Sequence, residues 1–290
     1  MSILENKENL KASVVEIADC SPVYPREWKG LTSPPKKVYA LGDLSLLGMR
    51  KLTVVGSRKT PVPALKLGAE IVKELTSSFA IVTGAADGGD SAAIEGALEK
   101  GRVICVLAGG FSSLPQGNLT LLEKVAKRGL ILSEYDFETS VRAYSYERRN
   151  ELLAALGEGV FVLGAGEKSG ALITAKYAQK SGKPIFALPY FPNLSVGVGC
   201  NRLIKEGGKL VENVQDIAFG LGVTLAKREK QAELSADEEK LYEILKEGEA
   251  HATELSQKTG IPVFKLRATL SSLEMKGLAV SLGGNRYTAI

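Results

Sequence analysis

Six short apolar runs, each followed by a stretch long enough for a helix, constrain this 290-residue chain more than any other feature. They are LTVV at 52–55, AIVT at 80–83, VICVL at 103–107, LILS at 130–133, VFVL at 160–163 and IFAL at 185–188. Runs of branched side chains separated by helix-length segments are the βα pattern of a parallel sheet covered on both faces. The spacing predicts helices over 63–75, 90–100, 119–127, 149–156 and 170–180.

The ends of these runs carry small and polar residues: GSR at 56, TGAADGGD at 83, AGGF at 108, SEYD at 133, GAGEKSG at 164 and LPYFP at 188. In a doubly wound sheet such ends face one side, where ligands sit, so the turns predict an anion-binding crevice lined by backbone amides. LTVVGSRK at 52–59 is its first corner. Gly56 lets the backbone approach a phosphate, Ser57 offers a hydroxyl and amide, and Arg58 and Lys59 add cations. Gly109 and Gly110 are assigned to the same crevice, and Asp90 is expected to cap the helix that follows it.

The flanks read differently. Residues 1–50 are expected to form an N-terminal arm and a sheet-edge extension, with a short strand at 38–40 and with Tyr24, Trp28 and Leu31 packed on the sheet edge. The sheet domain is placed at 51–219, a polar linker at 220–234 and a small domain at 235–290. In that domain Ser235 and Glu238 make a capping box, Gly260 ends the second helix and Pro262 opens the third. Leu266, Leu270, Leu273 and Met275 supply the third helix's apolar face, and LAVSLGGNRYTAI supplies a β-wing, so the module reads as a winged helix-turn-helix. It holds seven Lys and Arg against eight Asp and Glu, which favours a protein partner over duplex DNA.

Composition narrows the functions. Charge is mild, 37 Lys and Arg against 33 Asp and Glu. The three cysteines, Cys20, Cys105 and Cys200, are far apart and expected to be reduced, and a single histidine leaves a metal site without ligands; no metal and no cofactor are expected. No apolar run nears the roughly 20 residues a membrane span needs, and the N-terminal residues lack signal-peptide order, so the expectation is a cytoplasmic protein without a membrane partner. Gly164, Gly166, Lys168 and Ser169 are too closely spaced for a P-loop.

The blocks in sequence, VYALGDLSLL, VVGSR, IVTGAADGGDSAAIEGAL, GRVICVLAGG, GLILSEY, RRNELLAALGEGVFVLGAGEKSGALITAKYA, KPIFALPY and GCNRLIKEGGKLV, resemble the DNA-processing protein A family, also called Smf, over residues 22–217. The resemblance implies an α/β fold with an extended Rossmann-like parallel sheet, here followed by the small C-terminal winged-helix domain. It further implies single-stranded DNA binding, self-association as a homodimer and loading of the RecA recombinase in natural transformation, without catalysis. Carried over residue by residue, Gly56, Ser57 and Arg58 stand at the family's phosphate contact, Tyr146 would stack on a base, and Arg149 and Asn150 would hold phosphate or order the pocket. Lys168, Ser169, Gly170 and Thr174 occupy a loop and helix N-terminus that would take a second phosphate. Asp87 and Glu151 stand where the family carries basic residues, and the family's histidine is absent near Ala93; each departure is expected to remove positive charge near the pocket.

The alternative is a nucleotide-hydrolysing protein of the phosphoribohydrolase type, whose Pro-Gly-Gly-x-Gly-Thr-x-x-Glu signature supplies a catalytic glutamate. SGALITA and AGGFSS supply no such carboxylate. A pocket with aromatic faces suits a single strand, because stacking on splayed bases contributes about 1–3 kcal/mol each and a duplex hides its bases.

Overall fold

The computed structural model describes residue 4, residues 7–225 and residues 234–289. They form two compact units that divide after Leu225. The first runs α1 (Lys7–Ser13), β1 (Val15–Ala18), β2 (Lys37–Gly42), β3 (Lys51–Val55), α2 (Val62–Leu75), β4 (Ala80–Thr83), α3 (Gly89–Leu98), β5 (Val103–Val106), α4 (Leu119–Arg128) and β6 (Leu130–Ser133). It continues with α5 (Ala143–Leu156), β7 (Val160–Val162), α6 (Gly170–Lys180), β8 (Ile185–Ala187), α7 (Val198–Lys205), β9 (Lys209–Leu210) and α8 (Val214–Gly220).

Nine strands form one sheet in the order β1-β2-β6-β5-β4-β3-β7-β8-β9. From β6 to β9 all pairings are parallel, while β2 runs antiparallel to both β1 and β6 and extends that edge. Strand alternation splits the core. Val103 and Cys105 face one apolar layer with α2, α3 and α4, and Ile104 and Val106 face the other with α5 and α6. The chain order reverses between β3 and β7, the switch point at which the crevice of an open α/β sheet forms.

Tyr24 and Trp28 are buried inside this unit, but on the α5 layer rather than at the sheet edge alone: the Trp28 indole donates to the Leu152 carbonyl of α5 at 2.9 Å. Arg148 of the same helix donates to the Ser33 carbonyl at 2.6 Å. The segment before β2 is therefore strapped along α5. This helix begins at Ala143, six residues before the expected start, because its first turns (AYSYERR) are polar and show no apolar period. Within the span expected to be a linker, Leu221, Val223 and Leu225 pack on the core; residues 226–233 lie outside the described residues.

The second unit has α9 (Ala236–Lys246), β10 (Ala250–His251), α10 (Ala252–Thr259), α11 (Val263–Met275), β11 (Ala279–Gly283) and β12 (Arg286–Ala289), with the three strands in one small sheet. Gly260 ends α10 in the left-handed region at φ 71°, which glycine adopts without strain. Leu266, Leu270 and Leu273 are buried together with Leu241, Leu245 and Leu255. Met275 is not part of that face: it is 90% exposed, because the buried leucines repeat every three or four residues and position 275 falls on the far side.

The expected capping box is present, and Glu238 does more than cap. Its carboxylate accepts from the Ser235 amide at 2.6 Å, the Ser272 hydroxyl at 2.6 Å and the Lys276 ammonium at 2.7 Å, tying α9 to α11. The Lys276 and Ser272 bonds and the Ser235 amide hold its pKa down to about 2, against 4.5 for the free side chain. A depressed carboxylate contributes stability above its unfolded pKa and loses it as pH falls through the folded one. Urea unfolding of the winged-helix unit should therefore show a midpoint that drops as pH is lowered from 4.5 to about 2. Glu238→Gln should lower the midpoint at pH 7 and flatten this dependence.

Candidate nucleic-acid interface

The pocket at the β3/β7 switch point has a volume of about 360 Å³ and is walled by three segments: Val55–Lys59 after β3, one face of α5, and the first turns of α6. On α5 the lining residues are Tyr146, Arg149, Asn150 and Leu153, a helical i, i+3, i+4, i+7 set. Ser169, just before α6, and Gly170, Ala171 and Thr174 within it line the pocket from that side, with Ala86 in the turn after β4 and Asp90 in the first turn of α3.

Arg149 organises the floor. Only 7% exposed, its guanidinium donates to the carbonyls of Gly84, at the end of β4, and Val106, at the end of β5. Its Nε donates to the Asn150 side-chain Oδ1 at 3.1 Å, and the Asn150 side-chain Nδ2 donates to the Gly170 backbone carbonyl at 3.3 Å. One chain of bonds thus links two strand ends to the start of α6. Burial pushes the Arg149 pKa down and nearby Asp90 pushes it up; guanidinium nevertheless stays charged in proteins.

Asp90 does not act as the helix cap. The cap position of α3 is Gly88, with no side-chain bond, and Asp90 lies buried inside the first turn. Its carboxylate accepts from the Gly56 amide at 3.2 Å and from the Ala86 amide at 3.2 Å. Burial raises its pKa, opposed by Arg149 and by these amides. The Gly56 amide is therefore already committed, and the need for glycine there is steric: a Cβ would lie 2.8 Å from Gly89 Cα. The Ser57 amide is likewise committed, to the Gly164 carbonyl at 2.7 Å. At these two turns the amides of Arg58 and Gly170 have no acceptor among the described residues. The amide-lined crevice is thus mostly a side-chain-lined one.

Arg58 and Lys59 are exposed at the rim and make no ion pair among the described residues. Tyr146 is 45% exposed across from them. Arg58, Lys59 and Arg149 against Asp90 give the lining an excess of two positive charges. The Thr174 hydroxyl is buried in the wall without a hydrogen-bond partner among the described residues.

Not every expected residue is gathered here. Gly109 and Gly110 are buried under the segment 136–141, with a bond from the Gly110 amide to the Thr139 carbonyl, and line no part of the pocket. Lys168 lines a neighbouring groove instead. Of the six strand-end turns, only those after β3, β4 and β7 contribute. Neither acidic departure faces the pocket: Glu151 is on the opposite side of α5, paired with Arg148 at 2.6 Å, and Asp87 is exposed beside Gly117. The apolar walls Val55, Leu153 and Ala171 were not anticipated, although the α5 spacing from Tyr146 points to Leu153.

A positively charged pocket at the switch point of an extended Rossmann-like sheet, with a separate winged-helix unit after it, defines a class of two-domain α/β proteins. The model of the DNA recombination-mediator protein A family matches residues 16–221, and that of the DprA winged helix domain matches residues 226–285. The chain belongs to this DprA/Smf family. It is 35% identical to the DNA processing protein DprA of Bacillus subtilis over 201 residues, 68% of each chain. It is 36% identical to protein Smf of Synechocystis over 215 residues, 69% of this chain and 52% of that one. The crystal structure of Streptococcus pneumoniae DprA superposes with a TM-score of 0.68 at 30% identity, over 74% of this chain and 77% of that one. The Helicobacter pylori protein, described for its single-stranded DNA binding mode, superposes with a TM-score of 0.66 at 31% identity, over 72% of this chain and 95% of that one. Among the described residues no helix is long and apolar enough to cross a membrane.

The orphaned Thr174 hydroxyl yields a stability prediction for the unliganded protein. Valine keeps its shape and removes an unsatisfied buried donor, a change that is nearly neutral or stabilising by up to about 1 kcal/mol. Urea unfolding of Thr174→Val should show it; a loss above about 1 kcal/mol would mean that the hydroxyl is bonded after all.

Proposed function

We propose that this chain binds single-stranded DNA in the switch-point pocket, protects incoming DNA and helps load a RecA-type recombinase during natural transformation or recombination. It acts in the cytoplasm as a homodimer, as a binding protein and not as an enzyme. The observation that carries the binding reading is the pairing of an unpaired rim cation, Arg58, with a half-exposed ring, Tyr146, across a pocket whose floor holds the buried Arg149. Phosphate oxygens suit the first and third, and a base face suits the ring. The Helicobacter pylori protein, 31% identical to this chain and described for its single-stranded DNA binding mode, supports the same ligand.

Hydrolysis is less well supported. It needs a carboxylate turned to the ligand, and Asp90, which alone among the lining residues has one, is occupied by two backbone amides. The recombinase role and the dimer rest on family membership. The winged-helix unit is assigned to partner binding, since residues 235–290 carry a net charge of −1 and the outer side of α11 presents Phe264 and Met275.

Fluorescence anisotropy with a labelled single-stranded oligonucleotide and its duplex tests the central claim. Single strands should bind far more tightly. Arg58→Ala removes a charge-assisted contact and should weaken binding roughly 10- to 100-fold. Tyr146→Ala should cost roughly 5- to 100-fold, the range of one base stacked on one ring. Unchanged affinity for Arg58→Ala would remove the pocket as the binding site.

A further inference from the structure

The pocket has two charged neighbours of opposite character, one on either side. On the far face of α5 lies a groove lined by Glu134, Glu147 and Glu151, where the only cation, Arg148, is spent on ion pairs with Glu134 and Glu151 at 2.6 Å each. Three tyrosines complete it, and its charge is −2. On the other side, sharing Ser169 with the pocket, a groove of about 580 Å³ runs between α6 and α7. It holds Lys168, Lys176 and Arg202 together with Glu167 and Glu206, a charge of +1, and none of the five is in an ion pair among the described residues. Lys176, Arg202 and Lys168 are all exposed.

A single strand carries one charge per nucleotide beyond those seated in the pocket, and its path is decided by the field it meets. Over α5 it meets carboxylates. Across the start of α6 it meets the partial positive charge of a helix N-terminus, then Lys168, then Lys176 of α6 and Arg202 of α7, which line one groove.

We infer that the strand leaving the pocket crosses the N-terminal end of α6 and lays its sugar–phosphate backbone in the α6–α7 groove, held by Lys168, Lys176 and Arg202. This rests on the single-strand reading of the pocket and extends it into a directed track. The track gives Lys168 a role that its place outside the pocket denies it there, and it adds two contacts, Lys176 and Arg202, to which the sequence reading gave no role.

The test separates pocket from track by strand length. Anisotropy is measured with oligothymidylates of about 5 and about 20 nucleotides, lengths that bracket the footprint of one single-strand-binding module. The double variant Lys176→Ala/Arg202→Ala should bind the short strand like the parent, which also certifies its fold, and should lose about tenfold on the long one. The slope of log affinity against log salt for the long strand should shrink by about 1.4, about 0.7 for each lost phosphate contact. Glu147→Gln, on the acidic side, should leave long-strand affinity unchanged or slightly tighter. Equal affinity of parent and double variant for the long strand, or equal losses at both lengths, overturns the track alone. If the parent binds neither strand, the pocket reading falls and the track falls with it.

Discussion

The geometry of the switch-point pocket depends on the burial of one guanidinium. Arg149 reaches from α5 to where two parallel strands end, and its guanidinium donates to the Gly84 and Val106 carbonyls. Removing a cation from water costs several kcal/mol unless its donors are matched. Here the matching is done by backbone carbonyls, by Asn150 and by the field of Asp90. The same Asp90 ties down Gly56, and the same Asn150 holds the start of α6, so the three walls of the pocket are positioned by one connected polar network. Such a network leaves an excess of positive charge in a concave, partly apolar site, which is what a phosphate-bearing ligand with flat bases requires.

Much of the architecture was legible because it rests on periodicity. Six apolar runs of the right length led to six strands of the parallel sheet, and AIVT and LILS begin and end as read. What escaped was set by contacts distant in sequence. The polar opening of α5 has no apolar repeat; the Ser145 hydroxyl caps it by accepting from the Arg142 amide at 3.3 Å, and the Ser33 carbonyl holds Arg148 from outside. Asp90 looked like a cap, since an acidic residue at a helix start usually is one, and only the approach of Gly56 from another strand reveals its use. Met275 is a similar case: four apolar residues near one another in sequence suggested one face, but the helix turns the last of them outward.

Neighbouring residues on α5 divide the labour by helical geometry alone. Positions 146, 149, 150 and 153 face the pocket; 144, 147, 148 and 151 face the other way and carry the glutamates with their partner Arg148. Two adjacent arginines, Arg148 and Arg149, therefore belong to opposite surfaces, one neutralised by two carboxylates and one reserved for the floor. A charge count along the sequence averages these surfaces to a mild net value and hides the contrast between them.

The commitment of the Gly56 and Ser57 amides to partners inside the protein has an evolutionary side. A phosphate cradle built from backbone amides is insensitive to side-chain identity, so it persists through sequence drift and resists adjustment. A cradle built from arginine, lysine, tyrosine and threonine side chains on a rigid frame is the reverse. Single codon changes can tune its grip, while the frame that positions them, buried and bonded through Arg149, stays the same.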